Sequence, residues 1–254
     1  MGLAHRVIPV LLFRGDKLVK GIKFNSNRVV GHARQCTEIQ NSRQVDELIV
    51  LDVEANQRGT GPNLEFIERL TDCCFAPVTV GGGVRNLHDA RELLRHGADK
   101  VAVSTALVQN PNLAREISWS CGSQALVAAI EAVKIRNHGY CVATHCGGVY
   151  WPGLGVVEHA KHVAALGAGE ILLTSVDMDG TLAGYDVPLI REVASAIDVP
   201  LIASGGAGTY HHMLAAIRAG ADAVAAGAMF QWTSATPREA AEFLQANGIE
   251  TRIP

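Results

Sequence analysis

Residues 47–106 read ELIVLDVEANQRGTGPNLEFIERLTDCCFAPVTVGGGVRNLHDARELLRHGADKVAVSTA, and residues 170–229 read EILLTSVDMDGTLAGYDVPLIREVASAIDVPLIASGGAGTYHHMLAAIRAGADAVAAGAM. They are one segment written twice, aligned without a gap. Glu47 falls on Glu170, Gly61 on Gly184, Ile67 on Ile190, Pro77 on Pro200, and Gly82–Gly83 on Gly205–Gly206. The run GADKVA from Gly97 meets GADAVA from Gly220. A repeat of this length marks a supersecondary block duplicated as a unit. Each copy reads strand, helix, strand, glycine-rich loop, helix, strand.

Outward from the repeat, the same alternation fills the chain. Eight short apolar runs rich in β-branched residues stand out: VIPVLL from Val7, ELIVLD, PVTV, KVAVS, LVAAIE from Leu126, EILLTS, PLIAS and AVAAG. Continuous apolar runs of this kind are how parallel strands buried on both faces present themselves. Amphipathic stretches follow most of them, among them NLEFIERLTDCC, LHDARELLRHG, NLAREISWS, VVEHAKHVAALG and PREAAEFLQANG. KLVKGIKF reads as a short hairpin or mobile loop, and HARQCTEIQNS as a weak helix candidate. Eight strand–helix units in this length predict an α/β fold, a (β/α)₈ TIM barrel with a two-fold half-barrel repeat, as a single domain over residues 1–254. The rival is a doubly wound open sheet; an internal two-fold repeat suits a closed barrel better.

The bulk numbers narrow the function class. The chain has 254 residues, 48% of them hydrophobic, enough for one sizeable core, and its formal net charge of -3 argues against an electrostatic nucleic-acid binder. No apolar stretch reaches the roughly 18–20 residues that span a bilayer, and the start MGLAHRVIPV lacks the features of a signal peptide. The cysteines Cys36, Cys73, Cys74, Cys121, Cys141 and Cys146 form no CxxC pair, which points to buried free thiols in a cytoplasmic protein. His159 and His162 sit three apart on a helix with no third ligand, so neither a metal nor another cofactor is expected.

Two stretches carry the shape of phosphate cradles. GGGVRNLHDA from Gly81 and GGAGTYHHM from Gly205 each leave a strand and enter a helix. Glycines there let backbone N–H groups approach an anion, and the helix N-terminus adds a favourable dipole. Each half has a second element after its next strand, VSTAL from Val103 and AAGAM from Ala226. Two grips would suit a substrate with a phosphate at each end; alternatively the glycines only shape tight turns. Asp52, Asp177 and Asp179 fall at the C-terminal ends of strands, where barrels keep their chemistry, although Asp179–Gly180 also reads as turn chemistry.

RVIPVLL, KLVKG, ELIVLD, PVTVGGGVR, GADKVAV, GAGEILLTSVDMDGT, GYDVPLI and PLIASGGAG together resemble the cyclase subunits of imidazole glycerol phosphate synthase, from His5 to about Ile249. The resemblance implies a barrel whose bottom face docks a glutaminase, with ammonia passing through the barrel to a bis-phosphorylated substrate at the top. It assigns phosphate binding to Gly83, Thr105, Asp179, Gly180, Gly206 and Gly227, with Ser104 beside them. It implies an ammonia gate of Arg6, Glu47, Lys100 and Glu170, which without it would read as salt-bridged strand ends. Asp99 takes the place that meets the glutaminase, and Lys20 that of the lysine on the loop near substrate. Thr144–His145 matches a Thr-His pair beside strand five.

The pattern departs from that family at the residues that matter most for chemistry. Two aspartates act there as general acid and base, at the ends of strands one and five; this chain has Leu12 and Glu131. Ser104 replaces an asparagine and Ala228 a serine. Loss of one general acid or base costs about 10²–10⁴ in rate. The runs VIPVLLFR from Val7 and VAAGAMF from Val224 are similar to an offshoot that helps convert acetamido sugars to acetamidino sugars. The preferred expectation is therefore a synthase subunit passing ammonia to a phosphorylated or nucleotide-linked sugar, with Glu131, Asp52 and Asp179 at its chemistry. The alternatives are a true histidine-pathway cyclase and a non-catalytic scaffold that activates its glutaminase. All three pair with a glutaminase and involve neither nucleic acid nor membrane.

Overall fold

A computed structural model describes residues 4–43 and 45–252. Eight parallel strands close on themselves: Arg6–Arg14, Leu48–Asp52, Val78–Gly81, Lys100–Val103, Leu126–Ile135, Glu170–Ser175, Leu201–Ser204 and Ala223–Ala226. Strand one pairs with strand two at Val10 and Ile49 and with strand eight at Arg6 and Ala223. The join between strands five and six, from Glu170 against Val127 to Ser175 against Ala132, completes the ring. This is the (β/α)₈ barrel the repeat predicts.

The repeat also fixes how helices start. Asn63 accepts from Phe66 N at 3.1 Å, and its repeat mate Asp186 accepts from Leu189 N at 3.2 Å. Asn86 and Thr209 cap the next helices of their halves in the same way, from Asp89 N and His212 N. Any of these side chains offers an oxygen to an orphan N–H, so the cap persists while the residue drifts. HARQCTEIQNS does form a helix, Ala33–Ser42.

Two hairpins leave the ring at related places. Lys17–Ile22 and Asn25–His32 follow strand one, as KLVKGIKF suggested. Gly139–Thr144 and Val149–Gly155 follow strand five, which runs on to Ile135 to pair with the first of them. The second hairpin lies in sequence that carried no such expectation.

Strand parity separates two cores. Ile8, Val10, Ile49, Ala102, Val127, Leu172, Ile202, Ala223 and Ala225 fill the lumen, with Leu12, Leu51 and Ala129 packed against them. The intervening residues, such as Val7, Leu11, Leu48, Val50, Val101 and Leu126, face the helices. Because side chains alternate along a strand, lumen parity carries downward to Arg6, Glu47, Lys100 and Glu170, and upward to Ser104, Glu131 and Thr174. One rule thus aims the residues at both ends of the barrel axis.

Candidate active site

At the bottom, the four inward charges form a closed ring. Arg6 reaches Glu47 at 2.7 Å and Glu170 at 3.0 Å, and Lys100 reaches the same two carboxylates at 3.0 Å each. Thr79 Oγ1 donates to Glu47 Oε1 at 3.0 Å, a partner that sequence reading did not supply. Burial alone would push the Glu47 carboxyl up; Arg6 and Lys100 outweigh it and hold it below the usual range. Burial likewise opposes the Arg6 charge, but Glu47 and Glu170 raise its pKa overall. Four alternating charges satisfy one another here across the mouth of the lumen.

Asp99, one residue before Lys100, sits on the exposed rim, but its carboxylate is already committed. Asp99 Oδ2 accepts from Val78 N at 2.8 Å, and its repeat mate Asp222 accepts from Leu201 N at 2.8 Å. The pair ties adjacent strands together in both halves, which is a structural duty.

At the top, the strand ends enclose a cavity of about 150 Å³. Val10, Leu12, Leu51, Ala129 and Leu172 make its apolar floor, so Leu12 does point into it. Gly83, Ser104, Thr105, Gly180, Gly206 and Gly227 all line the wall, together with Lys20, Asp52, Glu131 and Asp179. The predicted binding residues are therefore gathered in one place.

The two glycine loops repeat their geometry. Gly82 has φ +108° and Gly205 φ +92°, and a Cβ on either would strike the carbonyl oxygen of the preceding strand end, Asp52 and Ser175 respectively. Asp52 and Ser175 are themselves repeat mates, so each half presses its cradle against the same neighbour. Thr105–Gln109 and Ala228–Trp232, also repeat mates, are the short helices that begin beside these loops.

Of the acidic candidates, Asp52 is occupied by its own loop. It has outward parity, and its Oδ1 accepts from Glu54 N and Ala55 N at 2.9 and 3.0 Å while Oδ2 pairs with Arg58 at 2.8 Å. Asp177 accepts from Lys134 N at 2.9 Å. Asp179 pairs with the buried Lys20 at 2.9 Å. The first hairpin that carries Lys20 also donates from Lys23 N to Asp179 O at 2.8 Å, and its Phe24 side chain lines the cavity.

Glu131 differs from these. Its Oε2 accepts from Gly147 N at 2.8 Å, and Cys146 N and the Ser104 hydroxyl donate to the same carboxyl. Burial pushes its pKa up to about 7, and those donors keep it from rising further. The two backbone donors come from a turn in which His145, Cys146 and Gly147 all have positive φ, 56°, 55° and 75°. Non-glycine residues in that region are strained by roughly 1–3 kcal/mol each, so the turn is held by its surroundings. A glutamate side chain is long enough to reach this turn; the carboxyl is thereby clamped at the cavity wall with no cationic partner among the described residues. Carboxyls with a pKa near neutrality both give and take protons at working pH.

Cys146 was not foreseen as part of the site. Its thiol lines the cavity, donates to Val53 O at 3.3 Å, and is pushed up to about 12 by burial and by the charges of Glu131 and Asp52. It is thus a wall residue, protonated at neutral pH. Of the expected buried thiols only Cys141 is buried; the other five are partly exposed, because they lie on helix edges and loops. Thr144 is buried and accepts from Trp151 Nε1 at 3.1 Å, while His145 N lies 3.3 Å from Thr105 Oγ1. Among the described residues no group of three or more His, Cys, Asp and Glu could hold a metal ion, and no helix is long and apolar enough to cross a membrane.

The histidine biosynthesis protein family matches residues 6–235. An imidazole glycerol phosphate synthase subunit HisF from Pyrococcus furiosus is 43% identical over 251 residues, 99% of each chain. One from Thermococcus gammatolerans is also 43% identical over 99% of each chain, and one from Exiguobacterium sibiricum is 41% identical over 98% of this chain and all of its own. These relatives favour the histidine-pathway alternative over the preferred sugar-amidating expectation, since the similarity runs the full length of proteins named imidazole glycerol phosphate synthase subunit HisF. Placed beside the closed barrel, its charge ring and its paired glycine loops, this establishes that the chain belongs to the histidine biosynthesis protein family and is similar throughout to its HisF subunits.

Proposed function

We propose that this chain is the ammonia-consuming synthase subunit of an imidazole glycerol phosphate synthase-type glutamine amidotransferase. A glutaminase docked at the bottom releases ammonia at the ring of Arg6, Glu47, Lys100 and Glu170. Neutral ammonia then follows an apolar lumen thinned by Ala102, Ala129, Ala223 and Ala225. At the top it meets a bis-phosphorylated substrate held by the Gly82–Gly83 and Gly205–Gly206 loops, with Lys20 as the nearby cation. Glu131 moves the proton as ammonia adds and the ring closes. The observation that carries this reading is the placement of the charge ring and the clamped, near-neutral Glu131 at opposite ends of one apolar axis. Purified protein given the histidine-pathway bis-phosphate and ammonium salt should form the imidazole product, and Glu131→Gln should lose about 10²–10⁴ of that rate.

A second reading is favoured by Leu12. It stands at lumen parity on the cavity floor, where no side-chain proton is available. A barrel in which Glu131 faces Leu12 rather than a second acid–base group would suit a subunit that conveys ammonia to a phosphorylated or nucleotide-linked sugar, needing no acid–base pair for ring closure. Turnover of the bis-phosphate by the unmodified chain at a typical kcat of about 1–10³ s⁻¹ would exclude it.

A further inference from the structure

The two glycine cradles are pinned by matching bonds that end on different side chains. Arg85 N donates to Asp89 Oδ2 at 2.9 Å, and in the other half Gly208 N donates to His212 Nδ1 at 3.2 Å. Arg85 is the repeat mate of Gly208, and Asp89 that of His212. The Nδ1 of a histidine stands at the same point of its side chain as an aspartate Oδ, one bond beyond Cγ. A backbone N–H can only donate, so this nitrogen is the acceptor and the ring proton sits on Nε2. Both bonds fall just past the glycines that line the cavity, Gly82–Gly83 and Gly205–Gly206.

The exchange has a cause in the neighbouring loop. Gly59 and its mate Leu182 share a left-handed backbone, with φ +64° and +60°. In the first half the Arg85 side chain donates to Gly59 O at 3.0 Å, and its Nε lies 3.5 Å from Asp89 Oδ2. The Asp89 charge is thereby offset. In the second half a Cβ at position 208 would strike the Leu182 carbonyl oxygen, so Gly208 can carry no arginine. A carboxylate at position 212 would stand without that cation, beside backbone N–H groups that the cradle offers to an anion. Imidazole makes the same bond and brings no negative charge.

We infer that His212 is the positioning residue of the second phosphate cradle: it fixes Gly208 N with an uncharged acceptor and keeps a carboxylate away from the bound phosphate. This rests on the proposed function, in which that cradle holds one end of a bis-phosphate. His212 acts through the loop backbone rather than on the reacting atoms.

The test is titration calorimetry on the full chain, without ammonium, using the histidine-pathway bis-phosphate and, separately, inorganic phosphate. The variants are His212→Asn, His212→Asp and His212→Ala. Asparagine and aspartate both present an oxygen to Gly208 N and differ in charge, a difference that a purely structural role would not separate. His212→Asn should bind the bis-phosphate within about threefold of the unmodified chain and His212→Asp about 10-fold more weakly. His212→Ala, which removes the acceptor, should also bind more weakly. Equal affinity of the Asp and Asn variants, or full affinity in His212→Ala, would overturn the inference. Inorganic phosphate bound in the same order by a chain that ignores the bis-phosphate would count against the proposed substrate and support the inference. Binding of neither probe would overturn it.

Discussion

Lys20 Nζ donates to both carboxylate oxygens of Asp179, at 2.9 and 3.1 Å, and so locks the first hairpin to the loop after strand six. Lys20 is only 3% exposed, so the pair is desolvated. Breaking such a pair from one side leaves an uncompensated buried charge, at about 3–5 kcal/mol, whereas removing both partners costs far less. Lys20→Met and Asp179→Leu should each lower stability by that order in urea unfolding. The double variant should recover most of the loss, giving a large coupling energy in the cycle. Additive losses would mean that the two side chains do not act as a pair.

Glu47 contacts both cations of the charge ring and the Thr79 hydroxyl. Glu47→Gln removes one negative charge from a balanced set of four and leaves Arg6 and Lys100 sharing Glu170. A loss on the order of 3 kcal/mol is expected, and it should persist in high salt because buried pairs are weakly screened. Urea midpoints at low and high ionic strength check this. A loss that vanishes with salt would place the ring in solvent.

Glu131 predicts a pH signature. Its pKa is raised from 4.5 in the unfolded chain to about 7 in the fold. Between those values the folded state binds more protons than the unfolded one, so this group's contribution to stability falls as pH rises through roughly 4.5 to 7 and is flat above. Glu131→Gln should therefore gain stability relative to the unmodified chain over that window. His159 works in the opposite sense: burial lowers its pKa from 6.5 to about 4, so its contribution rises with pH between those values. The difference between the two proteins, not the raw melting curve of either, isolates Glu131. A difference independent of pH would contradict the raised pKa.

The barrel was legible because the same instructions appear twice. Alternation along the strands even aims Arg6, Glu47, Lys100 and Glu170 inward, where they meet as ion pairs. What could not be read was the fate of individual polar groups. Asp52 reads as a rim carboxylate and does line the cavity, but sequence does not show the three donors of its own loop that it accepts from. Asp99, expected at the partner interface, also ties two strands together through Val78 N, a bond that spacing alone does not show. The clamp on Glu131 depends on a left-handed turn at His145–Cys146–Gly147, and two of those three residues are not the glycines that announce such a turn. Long-range hydrogen bonds of this kind leave no periodic trace.

The central claim is that ammonia is consumed at this cavity with Glu131 as its acid–base group and Leu12 contributing no proton transfer. Its most direct measurement is ammonium-driven conversion of the histidine-pathway bis-phosphate by the unmodified chain, Glu131→Gln and Leu12→Asp. The account predicts product from the unmodified chain, its near-abolition in Glu131→Gln, and a rate increased by up to about 10²–10⁴ in Leu12→Asp. No product from the unmodified chain at saturating ammonium, with activity arising only in Leu12→Asp, would contradict it and assign the natural chain to another acceptor.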